Sequence, residues 1–415
     1  MEAEYSITVP ILQEVYDTNQ KQQQFVDDQT NNTGETSFIK TCLNCINALC
    51  GIGILSVPYA LASGGWVCLI LLFVLATCTF YAGLLIKKCI DIDPKNITTY
   101  TDIAKIAFGN RGRWIISLFM NLELYFIATG FLILEGDNLH KLLPHVLSHT
   151  FVILVALVII LPTVWIDNLT ILSYISATGI LASGIILASV LWTGLGFHGS
   201  GGDRVILNPK GIPTALSLYV YSYCGHPVFP TLYTSMKDRT QFSKVLFIAF
   251  SISTICYASI AVLGYLMFGS SLQSQITLNL PTDRISSRIA IYTALVNPIS
   301  KYALMVTPIV TGIEKKISSH YNKRTCQVLI RTALVISTVF VAVAVPFFGE
   351  LMSLVGAFLS VFVSIVFPCL CYLKLSGIYM KNGFERVIIM VIVLMGIVTA
   401  VCGTYVAIQQ LISHL

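Results

Sequence analysis

Charge is what this chain has least of. Only 11% of its 415 residues are Asp, Glu, Lys or Arg, and 55% are hydrophobic. A soluble domain carries roughly 25% charged residues, so a soluble core of this composition would leave its surface uncovered. No ten-residue alternation of apolar and polar positions suggests a β-barrel. The first 36 residues lack the basic n-region and apolar h-region of a secretory signal; polar, Gln-rich and acidic, they read as a disordered tail. The twelve cysteines lie mostly inside apolar runs, with no pair in a non-cytosolic loop and no Cys/His spacing for zinc. A nucleophile elbow, a Walker loop and a metal-ligand motif are all missing, which argues against an enzyme. No ring of repeated filter residues points to a passive channel. Neither a cofactor, a metal nor a nucleic-acid partner is expected.

What the chain does have is apolar runs of about 20 residues, each long enough to cross ~30 Å of hydrocarbon. They predict an all-α polytopic membrane protein with eleven spans, at 37–62, 66–87, 113–135, 150–166, 170–197, 212–235, 243–268, 287–313, 326–348, 350–373 and 387–411. With the N-terminus in the cytosol, nineteen of the 25 Lys and Arg fall on the cytosolic side, five on the other, and Lys301 inside a span. That bias predicts N-in, C-out. The sequons at Asn31, Asn96 and Asn168 then face the cytosol and carry no glycan. Segment 99–110, with Ile103, Ile106 and Ala107 at helical spacing, reads as an amphipathic helix on the cytosolic interface, or as an ordinary loop.

Two spans carry helix breakers at mid-depth. The first reads NALCGIGILSVPYA, with Gly51, Gly53 and Pro58; the sixth reads YVYSYCGHPVFPTLY, with Gly225, Pro227 and Pro230. A proline inside a helix costs about 3 kcal/mol, and freed backbone groups in lipid cost several more unless something satisfies them. Cys50-Gly51 aligns with Cys224-Gly225, each followed by a proline, five spans apart. Spans four and nine also end alike, at Pro162 and Pro346. This pattern predicts two inverted five-span repeats (37–197 and 198–373), with 374–415 as an eleventh span, and a site at the membrane midplane. Ordinary kinks and close helix packing are the plainer reading. An interrupted helix offers bare amides at the start of its second half and bare carbonyls at the end of its first, favouring an anion and a cation respectively. A small zwitterion fits both. The amides of Gly51, Ile52 and Gly53 are expected to receive its carboxylate, and carbonyls near Asn47, Ala48, Tyr221 and Ser222 its ammonium, with Gly51 and Gly53 bare so that the ligand reaches the backbone. Gly225 opens the second break, and Tyr221 and Tyr223 either wall a side-chain pocket or simply pack.

These stretches resemble the amino acid/auxin permease family, and more closely its vacuolar (AVT-type) branch of plants and fungi. The resemblance rests on Asn47–Ala60, on Tyr223–Met236 (YCGHPVFPTLYTSM) and on Asn297–Leu304 (NPISKYAL), and runs from about Ser37 to the C-terminus. It implies a LeuT-like core in spans one to ten, amino acid substrates and proton-driven transport, often at the vacuolar membrane. A monomer is expected, with the lipid bilayer, a small amino acid and a proton as its partners.

Two ionisable groups lie deep in the predicted hydrocarbon. Glu123 is about 15 Å from the cytosolic end of span three and Lys301 about 18 Å from the outer end of span eight, at 1.5 Å per residue. A charge there costs at least ~2.5 kcal/mol and is functional or paired. The expectation is that Lys301 stands where sodium-coupled relatives bind their ion, and that it or Glu123 titrates during the cycle; a static ion pair is the alternative. His226 is the other candidate for proton coupling, or it merely satisfies unwound backbone. His140, His145 and His149 cluster in an outer loop and read as solvated. Asn44, Asn47, Asn121 and Asn297 lie within spans, and Asn47 abuts the break. Sodium-coupled symport and an amino acid sensor signalling through its N-tail are the competing functions.

Overall fold

The computed structural model describes residues 36–51, 53–165, 169–195, 202–314, 323–377 and 383–414. Most of the N-terminal tail, Ile52, and the sequons at Asn31 and Asn168 lie outside them. The described chain is helical: α1 (Phe38–Leu49), α2 (Gly53–Gly64), α3 (Val67–Ile92), α4 (Tyr100–Leu142), α5 (Ser148–Val155, running through a π turn at Ala156–Ile160 into Leu161–Val164), α6 (Leu169–Leu195), α7 (Ile212–Ser222), α8 (Phe229–Ser235), α9 (Phe242–Phe268), α10 (Ile285–Glu314), α11 (Lys323–Ala344), α12 (Phe348–Leu354, widening into π turns at Val355–Ser360 and Phe362–Val366), α13 (Phe367–Ser376) and α14 (Gly383–His414).

Among the described residues seven helices are long and apolar enough to cross a membrane, or eight if the bent pair α1–α2 counts as one span. Each of the eleven runs read from hydropathy overlaps helix among the described residues. However, Ser148–Val164 is a shorter apolar helix, only the Leu181–Gly194 part of α6 enters that comparison, and the sixth run is divided into pieces of 11 and 7 residues. Length and composition therefore do not reach the expected count.

Both expected breaks are present. The axis turns by 51° between α1 and α2. The sixth run leaves the helix after Ser222 and re-forms through a short 3-10 turn, His226–Val228, into α8. Pro227 and Pro230 occupy first-turn positions of these restarts, where a missing N–H costs nothing. Pro58 is inside α2 and packs on Gly264, where an added Cβ would lie 2.7 Å from its Cβ.

The connections gather at two opposite ends. At one, Thr36 pairs with Met236 in an isolated bridge, Lys88 meets Glu385 at 2.6 Å, and the Tyr233 hydroxyl donates to Asp91. At the other, Trp66 and Val67 bond the Val205 and Ile206 carbonyls, and Asn208 bonds that of Ser63. The long helices run between these ends.

Segment 99–110 is helical, opened by a capping box of Thr99 and Asp102. It ends in a kink at Gly109, whose φ of 70° suits a residue without Cβ. Its buried face is Tyr100, Ile103, Ala104 and Ala107, whereas Ile106 is 39% exposed. Tyr100 donates to the Val363 carbonyl at 2.5 Å and its ring packs on Phe367, so this face is held by protein.

Candidate functional site

The two breaks meet. An added Cβ on Gly53 would lie 2.7 Å from Ser222 Oγ and 2.8 Å from its Cα. One on Gly225 would lie 3.2 Å from Leu49 Cδ2. A Cβ at Gly53 would therefore collide with Ser222, a packing reason for a bare residue that stands beside the ligand access expected from the sequence. Gly51 does have open space around it, with nothing within 4 Å of an added Cβ. Tyr257, from α9, joins the two breaks: its hydroxyl lies 2.5 Å from the Leu49 carbonyl and 2.9 Å from that of Ser222. These are the C-terminal tips of α1 and α7, where helix carbonyls carry partial negative charge. The Cys50 carbonyl accepts from Ser183 Oγ at 3.1 Å. The Gly51 amide donates to the Leu49 carbonyl at 2.8 Å, so part of the expected bare set is already engaged.

Around this junction lies a cavity of about 370 Å³. Of the residues singled out from sequence, Asn44, Asn47, Ala48, Gly51, Gly53, Tyr221, Ser222 and Gly225 line it, as do Glu123 and Lys301. Apolar wall comes from Leu124, Ile127 and Phe131 of α4 and Met305 of α10. A chamber of this size, mostly apolar with a few convergent polar groups, suits a small organic ligand.

Tyr223 and His226 stand behind the wall. The Tyr223 hydroxyl donates to Thr254 Oγ1 at 2.8 Å, with its ring stacked on Phe250. His226 is fully buried, Nε2 lying 2.8 Å from the Thr79 carbonyl of α3 and the ring against Phe229. Asn297 is buried beside Lys301, and Asn121 faces Gly312 of α10. His140 Nδ1 lies 2.7 Å from the Val146 carbonyl, whereas His145 and His149 are exposed.

Glu123 and Lys301 share the cavity but form no ion pair among the described residues. Glu123 accepts a hydrogen bond from Ser360 Oγ at 2.5 Å, off the first π turn of α12, and shares the cavity lining with Cys224. Lys301 lies against α6: an added Cβ on Gly179 would be 2.6 Å from its Cε and 3.2 Å from Nζ. Lys301 lines the same cavity as Gly51 of the first break. Sequence reading missed Cys224, Ser360, Tyr257 and Gly179. Tyr257 left a trace, since a tyrosine inside an apolar run needs a partner for its hydroxyl.

Residues 34–409 match the family described as "Transmembrane amino acid transporter protein". The chain belongs to that family. It is 55% identical over 401 residues to amino acid transporter AVT1J of Arabidopsis thaliana, covering 93% of this chain and 94% of that protein. It is 53% identical over 400 residues to AVT1I of the same plant, covering 93% and 98%. The expected likeness to the AVT-type branch therefore stands, and the family is one of transporters rather than enzymes. Among solved structures the chain is similar to the inward-facing conformation of Mhp1 (TM-score 0.52, 13% identity, 91% of this chain and 92% of that one). It is likewise similar to MhsT in complex with L-phenylalanine (TM-score 0.51, 12% identity, 87% and 98%). At such identity the likeness concerns the fold, which is LeuT-like. This family member is thus a multi-pass membrane protein of amino acid transport.

Proposed function

We propose that the chain is a secondary active transporter of mainly neutral amino acids, driven by protons and working by alternating access. The observation that carries this reading is the meeting of two broken helices around one cavity that also holds Glu123 and Lys301. Helix restarts aim amides, and helix tips aim carbonyls, at the same chamber, so a zwitterion's two charges are met by main-chain dipoles. The predominantly apolar wall favours uncharged side chains. Eleven spans arranged as two inverted repeats of five plus one follow if the shorter helix Ser148–Val164, the whole of α6 and the α7–α8 pair each count as crossings. The N-terminus is cytosolic, the protein works as a monomer, and the vacuolar membrane is its place.

Lys301 has the position of a built-in cation: an ammonium on α10, pressed against α6 and close to the first break. Its ammonium stands in for a sodium ion, and movement of a proton on Lys301 or Glu123 couples transport to pH. The test is reconstitution in liposomes, with uptake of labelled amino acids measured under an imposed pH gradient, with and without Na⁺. Uptake that follows the pH gradient and ignores Na⁺ supports the reading. Uptake that requires Na⁺ makes the protein a sodium symporter, and binding without uptake makes it a sensor.

A further inference from the structure

Glu135, near the C-terminal end of α4, is 1% exposed, and neither of its carboxylate oxygens has a hydrogen-bond partner among the described residues. A buried carboxylate without a partner is costly when ionised, so this packing accommodates the neutral acid.

The residues that follow Glu135 on α4 hold the connection between α9 and α10. Glu135 is one helical turn from Phe131, which walls the cavity, and one turn from Asn138 on the other side. Fully buried Asn138 donates to Gln275 Oε1 at 2.7 Å, and Gln275 donates to Asp137 Oδ2 at 3.0 Å. Lys141 Nζ donates to the Leu278 carbonyl at 2.5 Å. The turn Ile276–Leu278, between α9 and α10, is thereby fastened to the last turns of α4. Two more fully buried atoms here lack partners, Asn138 Oδ1 and Thr277 Oγ1. Asp137 differs, since its oxygens accept from Ser148 and Gln275. Buried polar groups are ordinarily paired; a set left unpaired under a fastened turn fits a surface that meets water when the turn lifts.

We propose that Glu135 is a proton-binding site over which the 272–284 connection closes, so that this end of the cavity shuts only when the carboxyl carries a proton. This rests on the transporter reading above, and it adds a site on the end opposite the Thr36–Met236 bridge. Closing over the charged form would bury an unpaired carboxylate, whereas closing over the acid does not, so proton binding and closure favour each other. The closing turn Ile276–Leu278 has no titratable side chain. On α4 the nearby titratable groups are Asp137, His140 and Lys141; Tyr59 comes from α2, and Glu350 from α12 with His414 of α14 beside it at 3.6 Å. Around the start of α10 stand Asp283, Arg284 and Arg288, and before and at the start of α5 stand His145 and His149.

The test uses the full chain in liposomes and two readouts. In the first, Thr277→Cys places a thiol under the closed turn, an impermeant maleimide is applied at that face with the unsubstituted protein as background, and each rate is divided by that of the exposed Lys210→Cys at the same pH, so that the thiol's own ionisation cancels. Labelling should slow as that face is acidified, by up to about tenfold per pH unit for one fully coupled proton. Combined with Glu135→Gln, a neutral replacement of similar shape, labelling should be slow at every pH. Labelling that ignores pH in the Thr277→Cys protein, or that keeps its pH dependence with Glu135→Gln, overturns the proposal. In the second, Glu135→Gln should still exchange labelled amino acids at equal concentrations but lose accumulation driven by a pH gradient; accumulation equal to that of the unsubstituted protein overturns it. If the unsubstituted protein moves no amino acid, the transport reading falls, while the labelling readout still decides the role of Glu135.

Discussion

Gly53→Ala is the substitution that most directly probes the contact between the two breaks. The new methyl would stand 2.8 Å from Ser222 Cα, roughly 0.7 Å inside the closest comfortable carbon–carbon separation of about 3.5 Å. Ser222 Oγ, at 2.7 Å, can rotate away, but the Cα belongs to the backbone of α7. Relief therefore has to come from parting α2 and α7. Overpacking of this kind costs about 1–3 kcal/mol, and the backbone contact puts it in the upper half of that range. If the strain falls on the closed, ligand-holding arrangement, affinity drops by about 30- to 140-fold at 1.4 kcal/mol per tenfold. Gly51→Ala is the paired control, because its methyl meets nothing within 4 Å and should change thermal stability by no more than about 0.5 kcal/mol. It should nevertheless weaken amino acid binding by projecting into the cavity. The assay is the KM for labelled amino acid uptake in liposomes, alongside thermal unfolding of the purified protein. A Gly53→Ala protein with unaltered KM and melting temperature would refute the close apposition. A Gly51→Ala protein with unaltered KM would remove the first break from the carboxylate site.

Three further outcomes are expected. Lys301→Ala should abolish the pH dependence of transport while leaving folding intact, checked by uptake across a range of pH gradients and by size-exclusion profile. Tyr257→Phe leaves the Leu49 carbonyl its bond from Gly51 but takes the Tyr257 bond from Ser222, and should cost about 1–3 kcal/mol of stability, the penalty of a buried acceptor left unmatched; a thermal unfolding curve tests this. His226→Ala, which removes the ring from the Thr79 carbonyl, should depress uptake by the same factor at every pH, and a pH profile that shifts instead of scaling would return His226 to proton coupling.

The breaks were legible because their chemistry is local. Glycine and proline determine where a helix can and cannot continue, and no partner need be known to read it. Depth was legible for the same reason, since a fixed rise per residue brought Glu123 and Lys301 to one level, and both do line the cavity. What surrounds them was not legible. Glu123 takes its hydrogen bond from Ser360, 237 positions away, and Leu49 takes one from Tyr257, 208 away; one sequence does not say which spans touch. Tyr223 and His226 were drawn toward the site by proximity in sequence, but beyond Ser222 the chain leaves its helix and their side chains turn toward α9 and α3. Ile106 has the right spacing for a buried face, yet the helix packs through Tyr100, Ile103, Ala104 and Ala107. Periodicity yields a stripe but not the edge at which packing stops.

The Tyr257 phenol has one hydrogen and two carbonyls within reach. It is shared among three bodies, so it does not hold both rods at full strength at once. When either tip swings away, the hydrogen can turn to the one that stays, and only the departing tip is left to find another donor. Such a contact works as a pivot pin more than a bolt, letting one arm rock at the cost of about one hydrogen bond while the other keeps its seat.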